Sequence, residues 1–514
     1  MYQKIRKEEK KLRRSILEIL EETGKKFEDR IIYEDINRGI TYKQYIENCK
    51  KIGTGLAKDV KDTNRPVAIY IDRSVTCLES MMGVTYSGNY FIVLDIKSPK
   101  ERNNKILNSL PNPAIIVEEK NVQKLKELDF NGYIYLYEEL IKSDVNQSLL
   151  DEIRGKIIDT DPMYMQFTSG STGTPKGIVI CHRSVITYAT SIKETFNFDE
   201  NTKFGSEAPF YFSLSTLDTY TTMLCGGTMV IIPKMYFSFP VKLLTFLKEK
   251  KINTVYWIPS VLCIIANLKA LDGFDLPDLK KVMFVGEIMP VKQLNIWMEH
   301  LPNTTFINLY GPTEITDVCT YFIVDRKFEN TESLPIGKPF ANTDVIILKD
   351  DGTRAKVGEE GELCVRGSFL VLGYYNNPEK TNSAFIQNPL NKAYPEIIYK
   401  TGDIVKQNER GEILYISRKD FQIKHMGYRI ELGEIETAIN NIEGIITCAC
   451  VYDTENKKIV LFYQAKDELT EEKLIEESKI RLTAYMRPDR FYKLDEMLYN
   501  ANGKIDRPKL KTLI

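Results

Sequence analysis

Six short apolar runs govern what this chain can fold into. They are "PVAIYI" (66–71), "YFIVLDI" (90–96), "AIIV" (114–117), "GTMVIIP" (227–233), "TVYWIP" (254–259) and "KVMFVG" (281–286). A strand that is apolar on both faces belongs inside a layered sheet. Helical patterns lie between several of the runs, such as "PVKLLTFLKEKK" (240–251). Strand and helix in alternation predict α/β layers with largely parallel sheets. The chain has 514 residues, and at roughly 150 per domain more than one domain is expected.

The texture changes after about residue 335. "DVIILKDDGTRAKVGEEGELCVRG" reads as short strands joined by DG and EG turns, which predicts a β-rich subdomain. From about residue 420, charged helices alternate with strands such as "KKIVLFYQA", the pattern of a small α+β unit. No internal repeat or low-complexity linker separates these regions.

Seventy basic and seventy-one acidic side chains nearly cancel, so no general attraction to nucleic acid or anionic membrane is indicated. The N-terminal stretch is too charged for a signal peptide. It reads as an amphipathic helix with Ile5, Leu12, Ile16 and Ile19 or Leu20 inward. No stretch approaches the length and apolarity of a membrane span. The nine cysteines include no CxxC pair. Cys448 and Cys450 share one face of a strand, and a packing role is expected for them. This usage suits a reducing compartment, so a cytoplasmic location is expected.

"FTSGSTGTPKG" (167–177) packs three glycines, a Ser/Thr cluster and Lys176 into eleven residues. Glycines let a backbone approach a ligand closely, and successive N–H groups form an anion-binding nest. Hydroxyls and a lysine add donors, so the loop reads as a polyphosphate binder. It is not a Walker A loop, because Lys176 lies between Pro175 and Gly177. The rival reading is a Gly/Ser-rich surface loop.

With its companions, this loop resembles that of the adenylate-forming superfamily. The companions are "ITYKQY" (40–45), "YSGNYFIVLD" (86–95), "NLYGPTE" (308–314), "GELCVRG" (361–367), "YKTGDI" (399–404), "SRKDFQIKHMGYRIELGEIE" (417–436), "AYMRP" (484–488) and "NGKIDR" (502–507). They come in the family's order and cover nearly the whole chain. "YGPTE", "GYRIELGEIE" and "NGKIDR" are similar to adenylation domains of nonribosomal peptide synthetases and to D-alanine–carrier protein ligases. The resemblance implies an α/β fold: an adenylation core at 1–417 with its β-rich subdomain at about 335–417, a hinge at 418–421, and a small mobile α+β lid at 422–514.

It also implies ATP-dependent activation of a carboxylate as an acyl-adenylate, then transfer to a thiol. Thr168, Ser169, Gly170, Ser171, Thr172, Gly173 and Lys176 would grip the β- and γ-phosphates. Gly286, Glu287, Asn308, Tyr310 and Gly311 would surround the nucleotide, with Tyr310 stacked on adenine. Thr313 would touch the α-phosphate and Glu314 would hold Mg²⁺. Asp403 and Arg418 would bind ribose. Lys504 would reach the α-phosphate and the substrate carboxylate. Asp420 would be the hinge about which the lid exchanges Lys504 for the 424–429 loop, whose Gly427 would line the thiol's channel. Structural rivals stand beside these roles: Asp403 as a turn former, Glu314 as a helix cap, Tyr310 as core, Lys504 as a solvated lysine. His182 reads as structural or as a helix-start residue rather than a base.

α-Amino-acid-activating relatives carry an aspartate in an F-D-x-S segment. In "YFSLSTLD" (211–218), Phe212 and Ser215 match, but Ser213 stands at the aspartate position. A hydroxyl cannot offset a buried ammonium. By resemblance, the acyl pocket comprises Phe212, Ser213, Leu214, Leu217, Trp257, Met283, Val285, Leu309, Asp317 and Val318. Two substrate classes fit: an aryl or other acid without an amine, or a β- or ω-amino acid whose ammonium pairs with Asp317 or, less favourably, Asp218. The rival reading of Asp317 is a helix-surface carboxylate. With "NGKIDRPKLKTLI" at the end of the chain, the expected partner is a separate carrier protein bearing phosphopantetheine. An acyl- or aryl-CoA ligase and a non-catalytic nucleotide-binding module are the alternatives.

Overall fold

The structure is a computed structural model describing residues 13–59, 63–169, 175–419, 422–466, 468–499 and 505–514. Ile5 and Leu12 of the expected N-terminal helix, the loop tip Gly170–Gly173, the expected hinge Asp420, and Lys504 lie outside the described residues.

All six apolar runs form strands, and all are interior. Two large sheets result. One has seven strands in the order Gly373–Tyr374, Lys176–Cys181, Pro162–Thr168, Tyr90–Val93, Pro66–Tyr70, Ala114–Val117 and Tyr133–Leu136. Its last five strands run parallel. The other has nine, in the order Lys338–Pro339, Thr320–Ile323, Thr305–Tyr310, Lys281–Phe284, Thr254–Trp257, Lys203–Ser206, Thr228–Ile231, Ile31–Glu34 and Gly39–Thr41. Its middle is again parallel. Helices such as Pro240–Glu249 cross between strands, as the pattern predicts. The helix Ile16–Lys26 is capped by Ser15, whose side chain accepts from Leu17 N–H, and it buries Ile16, Ile19 and Leu20.

The β-rich stretch forms a five-stranded sheet of Thr343–Leu348, Glu360–Gly367, Ile397–Gln407, Phe385–Gln387 and Ile413–Arg418. One detail differs from the sequence reading. Glu360 and Gly361 open a strand instead of making an EG turn, and the turn falls three residues before Gly361, at Gly358, whose φ is +84°. A second detail is Asp403, which lies within a strand and is not a turn former.

Beyond residue 421 come a hairpin, Gln422–His425 with Tyr428–Glu431, and a three-stranded sheet, Ile445–Asp453, Lys458–Ala465 and Arg490–Lys493. These strands and their helices have hydrophobic clusters of their own, separate from the main core. Cys448 and Cys450 share one cluster, while Ala449 and Val451 between and beyond them point into another. All nine cysteines are buried and free. Among the described residues no helix is long and apolar enough to cross a membrane.

Candidate functional site

Parallel strands of the nine-stranded sheet all end at one edge, and ligands of α/β sheets gather at such edges. Trp257, Phe284 and Tyr310 close three adjacent strands there. The segments that follow them carry Glu287 and Thr313–Glu314. The seven-stranded sheet supplies the antiparallel pair Pro162–Thr168 and Lys176–Cys181, with Thr168 opposite Lys176. These two paired strands flank the Gly/Ser-rich segment in the sequence.

Just past Tyr310 the chain makes a tight reversal. A Cβ on Gly311 would meet Asp317 O and Val318 Cα, both at 2.4 Å, so only glycine fits. Thr313–Ile315 is a short 3₁₀ turn that contains Glu314, which caps no helix. Thr316 then adopts φ 75° and ψ −54°. Asp317 N–H donates to Ile315 O at 2.9 Å, which makes a γ-turn, a strained shape for a β-branched residue. The Thr316 hydroxyl secures it on Phe369 O at 2.8 Å.

This turn sends Asp317 inward, so it is not a helix-surface carboxylate. It is 3% exposed and accepts hydrogen bonds from Tyr188 (2.7 Å) and Tyr256 (3.0 Å). Burial nevertheless pushes its carboxyl up to about 7, against those two bonds and with Asp218 nearby. Leu214, Leu217, Trp257, Met283, Val285, Leu309 and Val318 are buried members of the main core. Trp257 is pinned by an Nε1–H bond to Gly205 O at 2.9 Å. Phe212 and Ser213 border a cleft instead, together with Thr313, and Thr313 Oγ1 donates to Ser213 Oγ at 3.2 Å.

Glu314 is fully buried. It accepts from Tyr374 OH at 2.8 Å and from Arg429 Nη1 at 2.5 Å, and Lys176 Nζ lies 3.8 Å away. Burial alone would raise its carboxyl, but Arg429 and Lys176 outweigh that and hold it down at about 2. Lys176 also faces Glu431 at 3.7 Å. Burial, with Arg429 beside it, brings the Lys176 ammonium down to about 8.

The ribose candidates also meet. Asp403 accepts from Tyr310 OH, and from Arg418 Nη1 at 2.8 Å. A carboxylate has roughly four acceptor sites, so both bonds leave capacity for sugar hydroxyls. The Tyr310 ring has the ammonium of Lys424 5.1 Å from its centroid. Asn308 donates to Pro335 O at 2.8 Å. His182 opens the helix His182–Phe196 and is buried, with Ile16 N–H 3.5 Å from its Nδ1. Burial drops its imidazolium to about 4, which suits a structural residue.

The 424–429 loop reaches into this site. Gly427 N–H donates to Glu287 Oε1 at 2.9 Å, while Ser260 N–H and hydroxyl hold the other oxygen of Glu287 at 3.0 and 2.5 Å. Gly427 has φ +77°, and a Cβ there would lie 2.5 Å from Ile258 Cγ2. Ser169 hydroxyl donates to Arg429 O at 2.7 Å. Arg429, Lys424, Tyr374 and Glu431 were not singled out as site residues from sequence. The hairpin offered one signal: Lys424 and Arg429 are cross-strand partners, so they share a face.

Beside the loop lies a cavity lined by Leu94, Asp95, Ser98, Arg102, Gln166, Thr168, Ser213, Thr313, Tyr428 and Tyr485, among others. Ser98 Oγ, Gln166 Oε1 and Thr168 Oγ1 are buried with no partner among the described residues. Arg102 at its wall bonds Glu434 from beyond the hairpin at 3.0 Å.

The described residues expected to hold phosphate, ribose and acyl group thus meet at one seam between a large α/β body and a small α+β unit, the arrangement of an adenylate-forming ligase. The chain belongs to the AMP-binding enzyme family, whose sequence pattern matches residues 20–375. It is similar to the D-alanine–D-alanyl carrier protein ligase of Lacticaseibacillus casei (strain BL23), 30% identical over 94% of this chain and 95% of that one. It is also similar to surfactin synthase subunit 1 of Bacillus subtilis (strain 168), 29% identical over 97% of this chain but only 14% of that much longer protein. Among solved structures, holo-PA1221, described as an NRPS protein containing adenylation and PCP domains, superposes with a TM-score of 0.83 at 22% identity. That match covers 98% of this chain and 84% of the other.

Proposed function

We propose that this ligase activates a small carboxylic acid as its acyl-adenylate and then passes the acyl group to the phosphopantetheine thiol of a carrier protein. In the first half-reaction a carboxylate oxygen attacks the α-phosphorus of ATP, and the bond to the β-phosphate oxygen breaks to release pyrophosphate. In the second, the thiol sulfur attacks the acyl carbon, loses its proton, and AMP leaves. The chain's task is positioning and charge stabilisation.

The carrying observation is the cavity with three unpaired polar atoms. Its lining includes Ser213 and Thr313 at the acyl side. A pantetheine arm has amide and hydroxyl groups that would satisfy Ser98, Gln166 and Thr168. Gly427, in the loop bordering the cavity, would keep that channel narrow enough to guide a thiol.

Lys176 and Thr168–Gly173 would take the phosphates, Tyr310, Asp403 and Arg418 the nucleoside, and Thr313 the α-phosphate. Lys504, with the hinge at Asp420, would serve the first half-reaction. Glu314 fits Mg²⁺ as one ligand among phosphate oxygens and waters, since among the described residues no larger acidic cluster offers a cage. Bound there, Mg²⁺ would neutralise phosphate charge.

Ser213, hydrogen-bonded to a neutral threonine, supports an acid without an α-ammonium: an aryl acid, or a β- or ω-amino acid paired with Asp317. The test is Lys504→Ala. It should abolish acid-dependent pyrophosphate release yet largely spare thiol transfer from a preformed adenylate. Equal loss of both steps refutes the division of labour. Offering CoA beside carrier proteins in the transfer assay separates a CoA ligase from a carrier ligase.

A further inference from the structure

The carboxylate that fits a metal is already engaged, and its partner comes from across the seam. Arg429 Nη1 sits 2.5 Å from Glu314 Oε2. The other oxygen faces Tyr374 OH at 2.8 Å and Lys176 Nζ at 3.8 Å. Mg²⁺ demands near-octahedral oxygen ligands and keeps several waters. A guanidinium on the oxygen facing the seam competes with that coordination, because arginine and metal draw on the same buried carboxylate charge. Arg429 does not sit there by chance. Its backbone carbonyl accepts the Ser169 hydroxyl at 2.7 Å, Glu431 N–H donates to the same hydroxyl at 3.2 Å, and Gly427 is tied to Glu287. Arg429 Nε is moreover buried with no partner among the described residues, a donor to spare for an anion.

Resting on the function proposed above, we infer that Arg429 and Mg²⁺ alternate on Glu314: the metal holds it in the adenylation step, and the arginine holds it in the thioester-forming step. Arg429 is a positioning residue. It docks the 424–429 loop only when Glu314 is metal-free, so departure of Mg²⁺ with pyrophosphate releases the lid to turn. Linkage requires the converse as well: metal–nucleotide binding disfavours the lid position seen here.

The test uses Mn²⁺ as probe with α,β-methylene-ATP, whose α–β bridge cannot be cleaved, and reads free Mn²⁺ by EPR. Arg429→Gln should bind Mn²⁺ with the nucleotide about tenfold more tightly or better, the equivalent of losing one charged hydrogen bond that competes. Arg429→Lys, which keeps the charge, should stay near wild type. Spin labels on Lys269→Cys and Glu455→Cys, both exposed, report lid position, because all nine native cysteines are buried. In wild type, Mn²⁺ plus nucleotide should deplete the label separation of this lid position. Equal Mn²⁺ affinity in wild type and Arg429→Gln, or unchanged separation with Mn²⁺ and nucleotide bound, overturns the exchange. If no acid elicits pyrophosphate release, the functional reading fails instead, and the Mn²⁺ comparison still decides the competition.

Discussion

Asp317→Asn should stabilise the protein above neutral pH while removing an anchor for an amine-bearing acid. The folded carboxyl stands at about 7 against an ordinary 3.8. Because the folded form holds its proton more tightly than the unfolded chain, wild type loses stability as pH rises from about 4 to about 7, and the loss is complete above that window. The shift corresponds to about 4 kcal/mol at most. An asparagine keeps an acceptor for Tyr188 and Tyr256 and carries no charge, so most of that loss should vanish. Thermal midpoints of both proteins, measured at several pH values, should diverge by several degrees near pH 8 and converge near pH 4. Calorimetry in buffers of different ionisation heat supplies the functional half. Near pH 6.5, a β- or ω-amino acid that pairs with Asp317 should release a proton on binding to wild type and none on binding to Asp317→Asn. A pH-independent gap between the two proteins, or a less stable variant near pH 8, refutes the reasoning.

Other expectations follow from single contacts. Gly427→Ala, strained at positive φ and driven onto Ile258, should slow thioester formation about tenfold or more, and to a greater extent than pyrophosphate release, in separate half-reaction assays. Gln166→Leu removes an unpaired acceptor from the cavity and should raise the KM for the acceptor thiol several-fold, read by titrating carrier protein; an unchanged KM would remove Gln166 from the channel. His182 is held neutral when folded, so stability should fall by about 2 kcal/mol as pH drops from about 6.5 to about 5, and His182→Phe should flatten that slope in urea titrations.

The large-scale plan was legible because it rests on local periodicity. Six apolar runs read as interior strands, and the DG turn at Gly352 announced the change to antiparallel sheet, whereas the EG pair at Glu360–Gly361 opens a strand. Phosphate and ribose candidates were legible through motif order: Asp403 and Arg418, fifteen residues apart, meet as expected. Contacts between distant segments were not. Arg429 lies 115 residues from Glu314, and Arg102 lies 332 from Glu434; nothing in either local pattern names its partner. Asp317 shows the limit most clearly. Whether it faced water or core depended on a γ-turn at Thr316, a residue whose type argues against positive φ. The acyl pocket was readable as apolar, yet Tyr188 and Tyr256, which hydrogen-bond its carboxylate, come from the helix His182–Phe196 and the strand Thr254–Trp257.

The central claim is tested most directly by acid-dependent pyrophosphate release with ATP and Mg²⁺. The panel would contain α-amino acids, β- and ω-amino acids, and aryl and aliphatic acids. Release with a small acid lacking an α-ammonium is the predicted result. Release confined to α-amino acids would keep the ligase but contradict the reading of Ser213 and Asp317, and no release with any acid would leave a nucleotide-binding protein without turnover.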